Sequence, residues 1–157
     1  MKQHIYLCSR IAKDAHPLND AAASALREAG YEVFAPHEAP YNQEVSPETL
    51  DQDVYELDMR EMLRSDACVV VGRIGLDCTF EAGWFQGRNV PTFWWLPKHV
   101  QATAKPTPML HGVPKYEDLQ TVVAAVKLAL YASWKDGMKS EMYKDWIKAK
   151  LKLAGIK

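Results

Sequence analysis

Five consecutive apolar residues, Ala67-Cys68-Val69-Val70-Val71, constrain this chain more than any other stretch. A run without polar alternation is the mark of a strand covered on both faces, as in parallel sheets layered between helices. The flanking sequence agrees. His4 to Cys8 (HIYLC) reads as a buried strand, and Asp14 to Asp20, polar and holding Pro17, as a loop or helix start. Ala21 to Ala29 (AAASALREA) is rich in strong helix formers and ends where Gly30 can take a left-handed backbone. Tyr31 to Ala35 (YEVFA) alternates like a strand and stops at Pro36. This is a β-α-β unit, and two parallel strands need such a crossover.

Pro36 to Pro47 holds three prolines and reads as a long surface loop. Ser46-Pro47-Glu48 predicts an N-cap with proline at the first helical position. A helix from about Pro47 to Arg64 then sets Leu50, Val54 and Leu57 on one face, with Met59 and Met62 turned away. After the apolar run come a turn over Gly72 to Asp77, a helix over Thr79 to Gln86 and a strand over Val90 to Leu96 (VPTFWWL). Lys98 to Pro114 is polar and proline-rich, hence loop. Tyr116 to Ala132 predicts a helix with Leu119, Val122, Val123, Val126 and Leu130 in register. Lys135 to Lys157 predicts a basic amphipathic helix that packs through Met142, Trp146, Ile147 and Leu151. The alternation gives one doubly wound α/β domain, Rossmann-like and flavodoxin-like, over residues 1–133, with a helical extension over 134–157.

At 157 residues the chain suffices for one domain with a real core, and 48% hydrophobic with 25% charged residues is ordinary for a soluble fold. A net charge of -1 lacks the basic excess of a nucleic-acid binder. The start, MKQHIYLCSR, is not expected to be a leader, and no apolar stretch reaches the roughly 18 residues of a membrane span. Cys8, Cys68 and Cys78 form no CxxC or Cys/His cluster, so buried reduced thiols in a cytoplasmic protein, without a metal, are expected.

Ligands of open parallel sheets bind outside the carboxyl ends of the strands, which points to the turn after Val71. There Asp77 and Glu81 stand four apart across a helix start and can share a crevice. The same residues also fit a plainer role, capping the helix and answering its dipole. Asp58, on the preceding helix, fits a solvated acid, and Tyr6, on the first strand, fits a core aromatic. The glycines form neither GxGxxG nor a GxxxxGK phosphate loop. Trp84, Phe85, Trp94 and Trp95 flank the region as stacking or core aromatics, and His37 and His111 sit on loops.

The order IYL, AGY, VFAPH, Asp58-x7-Asp66-Ala-x-Val-Val-Val, Asp77-Cys-Thr-Phe-Glu81-Ala-Gly83-Trp84, then PTFWW resembles the nucleoside 2-deoxyribosyltransferase family from about Ile5 to Ala132. The resemblance implies a nucleobase-exchanging transferase in which Glu81 is the nucleophile that attacks the anomeric carbon. It implies that Tyr6 orients that carboxylate, that Asp77 bonds sugar or base near the scissile bond, and that Asp58 holds sugar hydroxyls or the departing base. A departure accompanies it: the family's aspartate stands six residues before the glutamate, where this chain has Gly75, while Asp77 stands four before. His37 and Trp84 are further candidates for substrate contact. Ser9 and Arg10 follow the first strand, where nucleotide hydrolases of the wider superfamily hold a 5′-phosphate, although Arg10 equally fits a surface charge. Two other readings therefore stand beside transfer: N-glycosidic cleavage of a nucleoside 5′-monophosphate, and a non-catalytic nucleotide sensor. The expected partners are nucleosides or nucleotides and free nucleobases, with no cofactor, nucleic-acid polymer or membrane. A homo-oligomer is expected, joined through the helix at Tyr116 to Ala132 or the C-terminal extension.

Overall fold

The computed structural model describes residues 2–39, 50–101, 110–136 and 152. Five strands, β1 (His4–Ser9), β2 (Glu32–Phe34), β3 (Ala67–Val71), β4 (Thr92–Trp95) and β5 (Lys115–Tyr116), form one sheet in the order β2-β1-β3-β4-β5. Every pairing is parallel, with Tyr6 beside Cys68 and Cys8 beside Val70. The helices are α1 (His16–Glu28), α2 (Leu50–Arg64), α3 (Leu76–Gly87), the single turn α4 (Lys98–Gln101) and α5 (Leu119–Asp136). This is the doubly wound α/β architecture with flavodoxin-like strand order.

All residues of β1, β3 and β4 are buried, which is why they read as continuous apolar runs rather than alternating ones. Alternate side chains go to opposite layers. Ile5, Leu7, Val69 and Phe93 meet Ala22, Ala23 and Leu26 of α1 and Val122, Val126 and Leu130 of α5. On the other face Tyr6, Cys8, Cys68, Val70 and Trp94 meet Met62 of α2 and Cys78, Ala82 and Phe85 of α3.

Several boundaries differ from expectation for local reasons. α1 begins at His16, earlier than Ala21, because Pro17 sits in its first turn, where a missing N–H costs nothing. It ends before Gly30, whose φ of +98° suits the left-handed exit. α3 begins at Leu76, so Asp77 lies on the helix and not in the turn before it. Gly72 carries that turn at φ +61°, and a Cβ there would stand 3.2 Å from Leu18 Cδ1. Tyr116 belongs to β5 rather than to the last helix, since Lys115 and Tyr116 pair with Trp94 and Trp95. The carboxylate of Asp118 caps α5, accepting from Thr121 N at 2.7 Å and Thr121 Oγ1 at 2.8 Å.

The Met62 expectation is corrected outright. Met62 is 2% exposed, because α2 presents positions 54, 58, 61 and 62 to the sheet, one stripe carried a turn further. Met59 is half-buried against the same layer. The short α4 interrupts the segment read as loop from Lys98. The capping of the helix around Ser46 and Pro47, and Met142, Trp146, Ile147 and Leu151 of the C-terminal helix, lie outside the described residues, as does Leu50's side chain.

Candidate active site

In a 2-1-3-4-5 sheet the chain leaves β1 and β3 in opposite directions, which opens a crevice at their carboxyl ends. A cleft of about 320 Å³ lies there, within the range of about 300–1,000 Å³ usual for small-molecule sites. The loop after β1 lines it with Ser9, Arg10, Ile11 and Ala12, the end of β2 with Pro36, and α2 with Val54 and Asp58. The start of α3 contributes Gly75, Asp77, Cys78 and Glu81.

Glu81 is the buried acid of this cleft, only 9% exposed. The Tyr6 hydroxyl, itself fully buried, donates to its Oε1 at 3.0 Å across the interface between β1 and α3. Its Oε2 is buried with no hydrogen-bond partner among the described residues. Burial pushes the Glu81 carboxyl up to about 7, the Cys8 thiol draws it down, the negative charge of Asp58 raises it, the Tyr6 hydroxyl lowers it and Asp77 raises it. Burial, then the charges of Glu81 and Asp58, hold the Tyr6 hydroxyl far above its ordinary range, so it acts as a fixed donor. Asp77, four residues before Glu81 along the helix, is exposed on the cleft rim.

Arg10 and Arg73, from the ends of β1 and β3, converge on Asp14, at 3.2 and 3.8 Å. Beside Arg10, Ser9 is 5% exposed and its Oγ has no hydrogen-bond partner among the described residues. Gly75 is the N-cap of α3, with no side-chain cap, and a Cβ there would meet nothing within 4 Å.

The structure thus brings Tyr6, Ser9, Arg10, Asp58, Gly75, Asp77 and Glu81 around one crevice. His37 and Trp84 do not line it. His37 is buried, its Nε2 2.8 Å from Asp20 Oδ1 and its ring tilted against that of His16, with centroids 5.1 Å apart. Trp84 meets Phe85 edge-on and carries the Arg88 guanidinium 4.7 Å above its ring. Trp94 is core, donating from Nε1 to Gly72 O at 2.9 Å, and His111 is exposed. Sequence reasoning missed Cys78 and Val54 as cleft walls, and Cys8 behind Glu81. The available signals were the Cys-x-x-Glu spacing on one helix face and the two-residue step from Tyr6 to Cys8 along one strand face.

Among the described residues two groups have donor atoms within 4.8 Å of one another: Cys8, Cys78 and Glu81, and Asp20, His37 and Glu38. In the first, burial holds the Cys8 thiol well above its ordinary range, and the hydrogen bond from Cys8, then burial, does the same for Cys78, so both are thiols rather than the thiolates a metal needs. In the second, Arg27 already holds both oxygens of Glu38.

The model of the family described as nucleoside 2-deoxyribosyltransferase matches residues 5–142. A solved structure, that of a 2-deoxyribosyltransferase from the psychrotolerant bacterium Bacillus psychrosaccharolyticus, aligns with a TM-score of 0.63 over 76% of this chain and 90% of that one, at 22% identity. That likeness speaks to the fold. No curated protein matches the chain.

Proposed function

Because this chain belongs to the nucleoside 2-deoxyribosyltransferase family, we propose that it exchanges the nucleobase of 2′-deoxyribonucleosides through a 2-deoxyribosyl ester of Glu81. The observation that carries this reading is the state of that carboxyl: one oxygen fixed by Tyr6, the other buried in a cleft wall with no hydrogen-bond partner among the described residues. A nucleophile needs such an atom, and a helix cap does not.

In the first step Oε2 bonds to the anomeric carbon while the bond from that carbon to the base nitrogen breaks, its electron pair leaving with the base. In the second, a ring nitrogen of the incoming base bonds to the same carbon and the ester C–O bond breaks, restoring the carboxylate. The proton gained by the departing base equals the one given up by the incoming base. Asp58 and Asp77, both on the cleft, are the acids proposed to bond sugar or base there. Their negative charge also favours the oxocarbenium-like transition state. The test is to incubate the protein with a deoxynucleoside and a second free base. Exchanged nucleoside is expected from the wild type and none from Glu81→Ala; full exchange by Glu81→Ala ends the proposal.

One observation favours a second reading, N-glycosidic hydrolysis of a nucleoside 5′-monophosphate. The Ser9 Oγ, without a hydrogen-bond partner among the described residues, the Arg10 guanidinium and the start of α3, which has no side-chain cap, line the same cleft, and all three suit a phosphate. Turnover of a deoxynucleoside against its monophosphate separates the two, with Arg10→Ala impairing only the latter. A cytoplasmic location is proposed from three buried free thiols. Among the described residues no helix is long and apolar enough to cross a membrane. Homo-oligomers are proposed as well, supported by Leu76 and Phe80, 86% and 62% exposed on α3 beside the cleft. α5, the expected contact, spends most of its apolar side chains on the sheet.

A further inference from the structure

Cys8 is a fully buried thiol that the reaction above leaves without a task. It follows Tyr6 by two residues on β1, so both side chains leave the same face of the sheet and enter the layer beneath α3. Tyr6 takes Oε1 of Glu81. The sulfur of Cys8 lies within 4.8 Å of the same carboxyl group and donates to the carbonyl of Cys78, at 3.2 Å, three residues before Glu81 on the helix. The other carboxyl oxygen, Oε2, is buried with no hydrogen-bond partner among the described residues.

We infer that Cys8 is a positioning residue, a two-position donor that bonds the Cys78 carbonyl while Glu81 is uncharged or esterified and turns to Oε2 when Glu81 becomes a carboxylate. The inference rests on the proposed Glu81 ester. No bond to hydrogen is broken; the S–H only rotates about the Cβ–Sγ bond between two acceptors. A thiol suits the task because it is a weak donor. A strong donor on Oε2 would blunt the attacking atom, whereas no donor would leave the carboxylate that departs in the second step uncompensated in a buried site. The raised position of the Cys8 thiol, caused first by burial, keeps the proton on sulfur throughout. The other titratable groups that face Glu81 are Tyr6 on β1, Asp58 on α2, and Asp77 and Cys78 on α3, with Cys68 of β3 beside Cys8.

The experiment uses the full chain labelled with ¹³C at glutamate carboxyls and follows the Glu81 resonance against pH, alongside pH profiles of base exchange. Cys8→Ala is expected to move the Glu81 titration upward by roughly half a pH unit, the worth of one weak S–H bond. The acid limb of kcat should move with it, with KM for the deoxynucleoside changed less than about twofold, since Cys8 is not on the cleft surface. Cys8→Ser, which keeps a donor, should return both to the wild-type position or below it. Cys8→Val, near the original volume, repeats the loss of the donor without a cavity should the alanine variant fold poorly. A purely packing role would lower the melting temperature and leave the titration in place. The inference is overturned if the Glu81 titrations of Cys8→Ala and Cys8→Val coincide with the wild type, or if the serine variant is displaced as far as they are. If no variant nor the wild type exchanges bases yet the titration moves as stated, the ester proposal fails while the thiol's hold on Glu81 stands.

Discussion

Two buried glutamates sit at opposite ends of the strands of this sheet, and their surroundings could hardly differ more. Glu61, 5% exposed near the amino ends of the strands, is answered on every side. Arg64 Nε donates to its Oε2 at 2.6 Å and Arg60 Nε to its Oε1 at 3.4 Å, and its carbonyl accepts from Ser65 Oγ at 2.7 Å. His4 closes the network: Ser65 Oγ lies 2.8 Å from Nδ1 and Arg64 Nη2 lies 2.9 Å from Nε2. Burial and then Arg64 push that imidazole below its ordinary value, so it is neutral, Nδ1–H donating to Ser65 and Nε2 accepting from Arg64. Glu81, 9% exposed at the carboxyl ends, has one hydroxyl on one oxygen and two further acids among the charges acting on it. One site binds α2 to β1 and is finished; the other keeps an unmet demand that a ligand can satisfy.

The largest expected effect exploits that contrast. Glu81→Gln should lower base exchange by roughly 10⁴-fold while the fold persists, because a nucleophile is lost but no completed network is broken. Glu61→Gln should do the reverse, costing about 1–3 kcal/mol in urea unfolding by stripping the arginines of their charge partner, with exchange within about twofold of wild type. Equal losses of activity in both would erase the distinction. Next in size is Tyr6→Phe, which removes the single hydroxyl on Glu81. Loss of a hydrogen bond to a charged group, about 1.5–3 kcal/mol, predicts a roughly 10–100-fold fall in kcat, read from steady-state exchange.

The pH behaviour follows from the same carboxyl. With Glu81 pushed up to about 7, the attacking form is the minor one below that pH, so exchange should fall about tenfold for each unit on the acid side. Stability runs the other way. A carboxyl raised from 4.5 to about 7 favours the folded state when protonated, so its contribution is complete below 4.5 and is lost as pH climbs through about 7. That loss is at most about 3 kcal/mol, measured as the drop in unfolding free energy between about pH 5 and about pH 8. Glu81→Gln should flatten it; an identical slope in that variant would assign the pH dependence to other groups.

The fold was legible because its strongest signals are local and one-dimensional. An apolar run such as Ala67–Val71 has few other uses, and Gly30 and Pro36 bracket β2 by backbone chemistry alone. The two-residue β5 was not legible, since Lys115 and Tyr116 acquire strand character only from Trp94 and Trp95 beside them. Met62 was misplaced because the stripe of α2 depends on how the helix lies on the sheet. For the site, topology plus the Asp77 and Glu81 spacing located the crevice. What the linear order could not convey was which loop side chains turn inward: Ser9 does, while His37 turns to Asp20 and Trp84 to Phe85. The meeting of Tyr6, Cys8 and Glu81 joins residues more than 70 positions apart, and only the sheet brings them together.

A third glutamate completes the series and has the smallest expected effect. Glu38, in the short turn after β2, takes both guanidinium nitrogens of Arg27 near the surface, its side chain 42% exposed. The bidentate bond to Arg27 lowers its carboxyl below the ordinary 4.5, the opposite direction to Glu81. Its contribution to stability is therefore present above the unfolded value and lost as pH falls through the lowered one. Water and salt screen an exposed pair, so Glu38→Gln should cost only about 0.5 kcal/mol at neutral pH, less in high salt, and nothing once the medium is acidic enough to protonate both states. Across the three variants, unfolding measured against pH should give slopes of opposite sign for Glu38 and Glu81. A wild-type slope of one sign in both windows would mean that Glu81 is paired after all, and that the comparison with Glu61 had mistaken a finished bond for an open one.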